Sequence, residues 1–186
     1  GEVVISAGDT PECTFTNTRN ASLDVEKISN GGTAEFDYTA AGTNLNNFKR
    51  TTLADGVKTI NAPFSFNGLQ LGTKYVTEDA ESGWTLTGIS CIANGAVIKY
   101  GTGNRAGFVG TNSYVPGDHT VEVVISAGDT PECTFTNTKN ASLDVEKISN
   151  GGTAEFAYTP SATNRNTFKR TNLAACCKPL NAPLSL

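Results

Sequence analysis

Residues 2–36 read EVVISAGDTPECTFTNTRNASLDVEKISNGGTAEF, and the same stretch returns at residues 122–156, an offset of 120 residues. Only one position differs between the two copies, where Arg19 corresponds to Lys139. Beyond the copies the sequences of residues 36–63 and 156–183 diverge but stay aligned. A repeat period of this length is that of a whole domain, so the repeat governs any prediction of the fold.

The repeat also predicts where domains begin and end. A short polar sequence at residues 20–22, Asn-Ala-Ser, separates two strand-like runs, which places one complete unit at residues 20–139. Residues 1–19 are then expected to be the final strands of a preceding repeat, and residues 140–186 the first strands of the following one. We therefore expect the chain to be a piece of a longer tandem array.

The composition favours strands joined by tight turns. The chain has 26 Thr, 18 Asn and 19 Gly with no Met, and threonine is common in strands while glycine and asparagine are common in turns. A net charge of −4 with scattered Lys and Arg gives no basic stripe, so nucleic acid is not an expected partner. No apolar run is long enough to span a membrane. A single His and no clustered Cys and His favour neither an enzyme nor a metal site, and no cofactor is expected.

Alternation of apolar and polar residues with period 2 predicts a series of short strands. The predicted strands are Leu23–Ile28, Ala34–Thr39, Phe64–Phe66, Tyr75–Glu78, Trp84–Cys91, Val121–Ser126 and Glu132–Thr138. Residues 93–112 are predicted to form a long loop rich in Gly, Asn and Thr. With no helical stripe in the unit, the pattern predicts an all-β fold, an antiparallel Greek-key-like β-sandwich, with a barrel as the alternative.

The alternation aims one lysine and one asparagine at the core. Lys27 shares a strand face with Leu23 and Val25, and if the two aliphatic residues point inward then Lys27 does too. In the last strand of the unit, Asn137 shares a face with Phe135. We therefore expect an amine and an amide on the inner side of the first and last strands.

Glu78 is expected to bring a carboxyl group to the same interior, because it shares a face with Val76. An isolated buried charge costs several kcal/mol, and such groups shift their pKa until they become neutral. A neutral lysine amine is a nucleophile, an asparagine amide is an electrophile, and a protonated carboxyl can polarise the amide oxygen. Held in contact, these three groups could form a Lys–Asn isopeptide bond without a cofactor.

Four sequence motifs, in order, resemble the prealbumin-like, Cna B-type domains of bacterial surface adhesins and pilus fibres: VEK at 25–27, GTKYVTE at 72–78, GWTL at 83–86 and FTN at 135–137. The resemblance covers the whole unit and implies a prealbumin-like sandwich. It further implies that Lys27 bonds to Asn137 with help from Glu78. By the same repeat, Asn17 is expected to accept a Lys of the preceding unit, and Lys147 to react with the following one.

A simpler interpretation remains open for the same residues. Lys27 could turn to the surface and pair with Glu26, and Asn137 could serve only to satisfy buried backbone groups.

The cysteines extend the comparison with the family, whose secreted members carry cysteines at the positions of Cys91 and Cys133. The resemblance implies that these two pair, which indicates an oxidising, extracellular setting; two buried free thiols are the alternative. Cys13 is the repeat equivalent of Cys133, so its partner is expected in the preceding unit. Cys176 and Cys177 are adjacent, bridge poorly to each other and have no predicted role.

The functional prediction is a structural repeat of an extracellular, cell-surface fibre, stalk or filament, whose partners are neighbouring repeats or identical subunits. Near-identical copies favour a scaffold over a specific site. An adhesin module that binds a glycan or host protein through residues 93–112 is the first alternative. An appendage of a secreted enzyme is the second.

Overall fold

The computed structural model describes residues 2–143, 145, 147, 152, 154–158, 168–171 and 184–185. The chain divides into two compact units, Gly1–Lys139 and Asn140–Leu186. Within the described part of the first unit the strands are β1 (Ala21–Asn30), β2 (Glu35–Ala41), β3 (Phe48–Thr51), β4 (Phe64–Phe66), β5 (Gly72–Glu78), β6 (Trp84–Ile92), β7 (Val97–Thr102), β8 (Val109–Thr111), β9 (Thr120–Ile125) and β10 (Glu132–Lys139).

These strands form two sheets that pack as a sandwich. One sheet has the order β4-β1-β10-β6, and the other has the order β3-β2-β5-β9-β7-β8. The first strand β1 and the last strand β10 are parallel neighbours, with Lys27 opposite Phe135 and Ser29 opposite Asn137. All other pairs in both sheets are antiparallel. The predicted all-β sandwich is confirmed.

The core lies between the two sheets and follows the predicted alternation. On β1 the even spacing buries Leu23, Val25 and Lys27 completely, while β10 buries Cys133 and Phe135. The facing sheet contributes fully buried aromatic and aliphatic side chains from β2, β5 and β9: Phe36, Tyr38, Val76, Val121 and Val123. Period-2 patterning therefore places the inward-facing polar residues of β1, β5 and β10 in one interior.

The predicted loop at residues 93–112 is wrong, because most of it is a hairpin. Strands β7 and β8 pair antiparallel there and extend the larger sheet beyond β9. Ile98 and Tyr100 alternate with Lys99 and Gly101, but the glycines at 101, 103, 107 and 110 obscure the pattern. Strand β3 was also missed, since its sequence FKRT has only one apolar residue.

Residues 2–20 carry the sequence of most of β9 and all of β10 yet contain no strand, and every one of them is exposed. The difference lies in the neighbours. In the sandwich β10 pairs with both β1 and β6, whereas a strand without partners leaves its backbone groups to water.

The described part of the second unit contains β11 (Ser142–Leu143), β12 (Glu155–Tyr158), β13 (Phe168–Thr171) and β14 (Leu184–Ser185). Strands β12 and β13 pair with Glu155 opposite Thr171, which is the register of Glu35 opposite Thr51 shifted by one repeat. Strands β11 and β14 likewise reproduce the register of β1 and β4. Both strand pairings therefore follow the sequence repeat.

Two leucine-to-alanine variants test where the core lies. Leu23 is fully buried, so Leu23→Ala is expected to lower the free energy of unfolding by about 2–5 kcal/mol through lost burial and a residual cavity. Leu53 is 88% exposed, so Leu53→Ala should change it by no more than about 0.5 kcal/mol. Chemical denaturation monitored by tryptophan fluorescence measures both. Equal losses in the two variants would contradict the assigned core.

Candidate functional site

Lys27 lies in the middle of β1 with its side chain fully buried. Its backbone N–H donates to the Thr59 Oγ1, 2.9 Å away, which fixes the strand at this position from the segment between β3 and β4. Alternation with Val25 directs the Lys27 side chain into the space between the sheets. The backbone of β1 therefore places the Lys27 amine in the interior.

Two other polar side chains meet the Lys27 amine. Lys27 Nζ donates to Asn137 Oδ1 on β10 at 2.6 Å, and to Glu78 Oε2 at the end of β5 at 2.7 Å. All three residues are at most 5% exposed. The structure therefore brings together the lysine, asparagine and glutamate that the sequence predicted, from the first strand, the last strand and the facing sheet.

Aromatic rings enclose this cluster of Lys27, Glu78 and Asn137. The Phe36 ring centroid lies 4.1 Å from Lys27 Nζ, and the Tyr38 hydroxyl donates to Glu78 Oε2 at 3.0 Å. Phe135 packs edge-on against Tyr38 from β10, and Trp84 packs edge-on against Phe36. These rings desolvate the side of the cluster that they cover, which strengthens the electrostatic interactions there.

Burial changes the acid–base properties of the cluster. Desolvation lowers the pKa of Lys27 from 10.5 to about 8, although the adjacent Glu78 carboxylate opposes the change. Desolvation, reinforced by Glu78, raises the pKa of Tyr38 well above its ordinary value, so the phenol stays protonated. At neutral pH a larger fraction of Lys27 therefore carries a neutral amine than is the case for a surface lysine.

A cavity of about 380 Å³ adjoins Glu78 and Asn137. Its other lining residues are Thr77, Asp79, Ala80, Glu81, Trp84, Leu86 and His119. Because the cavity reaches two members of the cluster, it provides room for a small molecule to enter or leave beside the Asn137 amide.

The structure contains a disulfide between Cys91 on β6 and Cys133 on β10, 42 residues apart in sequence. The two residues lie directly opposite each other in the antiparallel register of these strands. The bridge fixes β10 to β6 on one side, while the cluster contacts β10 from β1 and β5. The last strand is thus held by side-chain contacts from both directions.

Asn17, Cys13 and Lys147 are the residues predicted to bond to neighbouring repeats. Asn17 and Cys13 are both exposed, and Cys13 is a free thiol. Lys147 Nζ lies 4.4 Å from the Phe156 ring centroid, which parallels the contact of Lys27 with Phe36 one repeat earlier. Cys176 and Cys177 lie outside the described residues.

The alternative pairing of Lys27 with Glu26 at the surface is wrong. Glu26 points to the opposite face of β1, where it accepts hydrogen bonds from the Thr59 hydroxyl and from the backbone and side chain of Asn61. Lys27 is fully buried and faces away from it.

Two buried polar residues with defined partners, Tyr38 and Lys74, were not among the predicted site residues. Tyr38 lies two positions after Phe36 on β2, and its hydroxyl reaches the buried Glu78 carboxylate. Lys74 is a second fully buried lysine, two positions before Val76 on the inner face of β5. Its amine donates to the carbonyls of Thr43 and Gln70, and burial lowers its pKa.

Comparison with known families identifies the family to which the chain belongs. The family model described as a SpaA-type prealbumin-like fold domain matches residues 23–139, and the chain belongs to this family. No curated protein and no solved structure matched the chain. The matched range runs from β1 to the end of β10 and includes the whole cluster. Membership suggests a structural module of a pilus or other surface protein and a cell-surface location.

No helix among the residues described here is long and apolar enough to cross a membrane.

Removing the Cys91–Cys133 bridge is expected to destabilise the sandwich. In the chain-entropy model, a closed loop of 42 residues stabilises by about 4 kcal/mol, so the double variant C91A/C133A should lose about that free energy of unfolding. Denaturant titration measures the loss. The matched control is C13A, which removes an exposed free thiol and should change stability by about 0.5 kcal/mol or less. Equal midpoints for C91A/C133A and C13A would show that the bridge contributes nothing.

Proposed function

We propose that this chain is part of an extracellular bacterial fibre, stalk or filament, built from tandem sandwich repeats that each cross-link themselves through a Lys–Asn isopeptide bond. The observation that carries the proposal is the contact of Lys27 Nζ with Asn137 Oδ1 at 2.6 Å and with Glu78 Oε2 at 2.7 Å, in a buried site. Two reacting groups already in contact gain the large rate advantage of an intramolecular reaction.

The proposed reaction needs only the groups in the cluster. Glu78 takes a proton from the Lys27 ammonium, and the neutral amine attacks Asn137 Cγ as the protonated carboxyl polarises the amide oxygen. The new C–N bond forms, the bond from Cγ to Nδ2 breaks, and one proton from Nζ leaves with Nδ2 as ammonia, while Glu78 still holds the proton that it took first. Ammonia takes up a proton to become ammonium, which restores the Glu78 carboxylate. The adjoining cavity gives ammonia a way out.

The position of the bond suits a load-bearing role. Because β1 and β10 are parallel, the start of β1 and the end of β10 lie at opposite ends of the sheet, and tension along the chain shears these two strands. A bond between Lys27 and Asn137 passes that tension from β1 directly to β10. Residues 28–136 then carry none of it, so the rest of the sandwich cannot be pulled open.

Several observations support an array of such units, with residues 20–139 as one complete repeat, residues 1–19 as the end of a preceding one and residues 140–186 as the start of the following one. The strand pairs of the second unit keep the registers of β1 with β4 and of β2 with β3. Lys147 keeps the aromatic contact of Lys27. In such an array Asn17 and Cys13 would bond to the preceding unit and Lys147 to the following one.

A role in binding a glycan or host protein through residues 93–112 stays a prediction that the hairpin does not favour. Phe108 packs edge-on against Tyr75, and Tyr100 packs edge-on against Tyr114. These aromatic residues contact their own domain instead of forming a free platform.

Intact-protein mass tests the isopeptide bond. The wild-type chain is expected to weigh one ammonia less than its sequence after correction for the disulfide, and digestion should yield a branched peptide joining Lys27 to Asn137. The Lys27→Met variant should retain the ammonia. Lys74→Met is the matched control, because Lys74 is also fully buried but its amine bonds only to backbone carbonyls, and this variant should still lose ammonia. A wild-type chain with its full mass would refute the bond.

The pH dependence of bond formation tests the role of Glu78. In the reactive state the Lys27 amine is neutral and the Glu78 carboxyl is protonated. This state carries one titratable proton, and so does the ion pair of Lys27 ammonium and Glu78 carboxylate from which it forms. Above the Lys27 pKa of about 8 that proton is lost, so the rate should fall about tenfold per pH unit as the acid disappears.

Refolding the denatured chain at different pH values, with acid quenching and mass analysis, measures this rate. Glu78→Gln should abolish bond formation across the range. A rate that rises through pH 8 would instead show that the free amine reacts without an acid.

A further inference from the structure

The cavity beside the cluster offers a second approach to the Asn137 amide. It measures about 380 Å³, which falls within the size range of small-molecule sites. Of the described residues that form its wall, Glu78 and Asn137 belong to the cluster and Lys27 does not. The wall also includes Asp79 and Ala80, which are exposed at the domain surface. Lys27 therefore meets the amide between the sheets, while the cavity leads to it from the surface.

Glu78 and Asn137 each keep one polar atom free beside this cavity. Glu78 is 5% exposed and accepts hydrogen bonds from Lys27 and Tyr38, both on Oε2. Asn137 is 2% exposed and accepts from Lys27 on Oδ1. Among the described residues, Glu78 Oε1 and Asn137 Nδ2 have no hydrogen-bond partner. Buried polar groups are normally hydrogen-bonded, so these two atoms suit a polar ligand in the cavity.

The other groups of the wall favour a cation with an apolar part. Asp79 and Glu81 add two carboxylates to that of Glu78, and His119 is the one basic residue among the described residues of the wall. The Trp84 indole supplies an aromatic surface, which binds both alkyl chains and cations. The combination fits a small primary alkylammonium ion, whose charged end meets the carboxylates while its alkyl part contacts the indole.

We propose that this cavity admits small primary alkylamines and that Glu78 and Asn137 join them to the Asn137 side chain, with Lys27 as the built-in competitor for the same amide. The inference rests on the chemistry proposed above for the cluster. The entering alkylammonium gives one proton to Glu78, and the neutral amine attacks Asn137 Cγ.

The proposed reaction balances without any further reactant. The bond from Asn137 Cγ to the new nitrogen forms, the bond from Cγ to Nδ2 breaks, and a second amine proton leaves with Nδ2 as ammonia. Ammonia then takes the proton that Glu78 holds. The products are an N-alkyl asparagine and one ammonium ion.

In the wild-type chain Lys27 wins this competition, because a tethered amine in contact with its target reacts at a far higher effective concentration than a free amine. Its Nζ already lies 2.6 Å from Asn137 Oδ1. Once Lys27 has bonded to Asn137, the amide is consumed and a free amine has nothing to attack. Lys27→Ala removes the competitor. It keeps Cβ, so the atoms it removes are those of n-propylamine.

The Lys27→Ala variant, incubated with n-propylamine at neutral pH, tests the activity. Digestion and mass analysis should show that the Asn137 peptide gains the mass of propylamine and loses that of one ammonia. The double variant K27A/E78Q should not couple propylamine. An Asn137 peptide of unchanged mass in Lys27→Ala would overturn the proposal.

Two controls distinguish this activity from unspecific modification. Trimethylamine has the same elemental composition as n-propylamine and is also positively charged at neutral pH, but it has no hydrogen on nitrogen to give up after deprotonation. It should therefore leave Asn137 unchanged. Asn94 of the same chain is exposed and measures the uncatalysed reaction, so it should not be modified. Equal modification of Asn94 and Asn137 would show that the site contributes nothing.

Neutralising one carboxylate of the wall tests the entry route. In the Lys27→Ala background, Glu81→Gln should slow coupling about threefold at low ionic strength, the size of an interaction between partly exposed charges, and by less in added salt. Glu35→Gln is the matched control, because Glu35 is exposed on β2 and does not line the cavity. Its coupling rate should be unchanged. Equal rates in the two variants would show that the amine does not enter through the cavity.

Stability gives a second readout, because Lys27→Ala leaves the Glu78 carboxylate buried without its cation, which is destabilising. n-Propylammonium returns that charge, so it should raise the denaturation midpoint of Lys27→Ala and leave that of the wild type unchanged. Retention of the Cys91–Cys133 bridge reports folding in each sample. An unchanged midpoint together with no coupled product overturns the proposal.

The results separate this inference from the proposed function. If the wild-type chain loses ammonia but Lys27→Ala does not couple propylamine, the amine-joining activity is overturned and the isopeptide bond stands. If Lys27→Ala couples propylamine while the wild-type chain keeps its full mass, the activity stands and the bond between Lys27 and Asn137 is refuted.

Discussion

The fold depends on one constraint, the parallel pairing of its first and last strands under a buried ion pair. Lys27 carries its amine into a core of aromatic rings, where an isolated charge would be strongly destabilising. Glu78 from the facing sheet and Asn137 from β10 satisfy that amine. The same contacts therefore hold three distant parts of the chain together and place an amine, a carboxyl and an amide within reaction distance. The arrangement that stabilises the sandwich is therefore the same one on which the proposed cross-link rests.

The sequence was sufficient to predict the cluster because strand alternation is a local property. Once Leu23 and Val25 point inward, Lys27 must follow, and Phe135 directs Asn137 in the same way. The hairpin of β7 and β8 could not be predicted, because its glycines interrupt the alternation and its pairing with β9 is non-local. Tyr38 and Lys74 were missed for a related reason. Their faces were predictable, but their partners, the Glu78 carboxylate and two loop carbonyls, lie on segments distant in sequence.

The two buried lysines show how partners decide the chemistry of a residue. Desolvation lowers the pKa of both Lys27 and Lys74. Lys74 donates to two backbone carbonyls, where attack by its amine would have to break the main chain instead of releasing ammonia, and burial is the one cause of its pKa shift. Lys27 faces a side-chain amide that can lose ammonia and a carboxyl that can move the proton. Burial alone therefore does not make a lysine reactive, and the site is defined by Asn137 and Glu78 as much as by the amine.

The repeated sequence shows that a strand is a property of its neighbours. Residues 12–19 and 132–139 have the same β-forming residues, yet only the second set pairs, because only it lies between β1 and β6. The local turn between Ser6 and Asp9 forms in both settings, since its hydrogen bonds need no partner strand. A side-chain pattern therefore permits a strand, and the backbone of the neighbouring strands decides whether the strand forms.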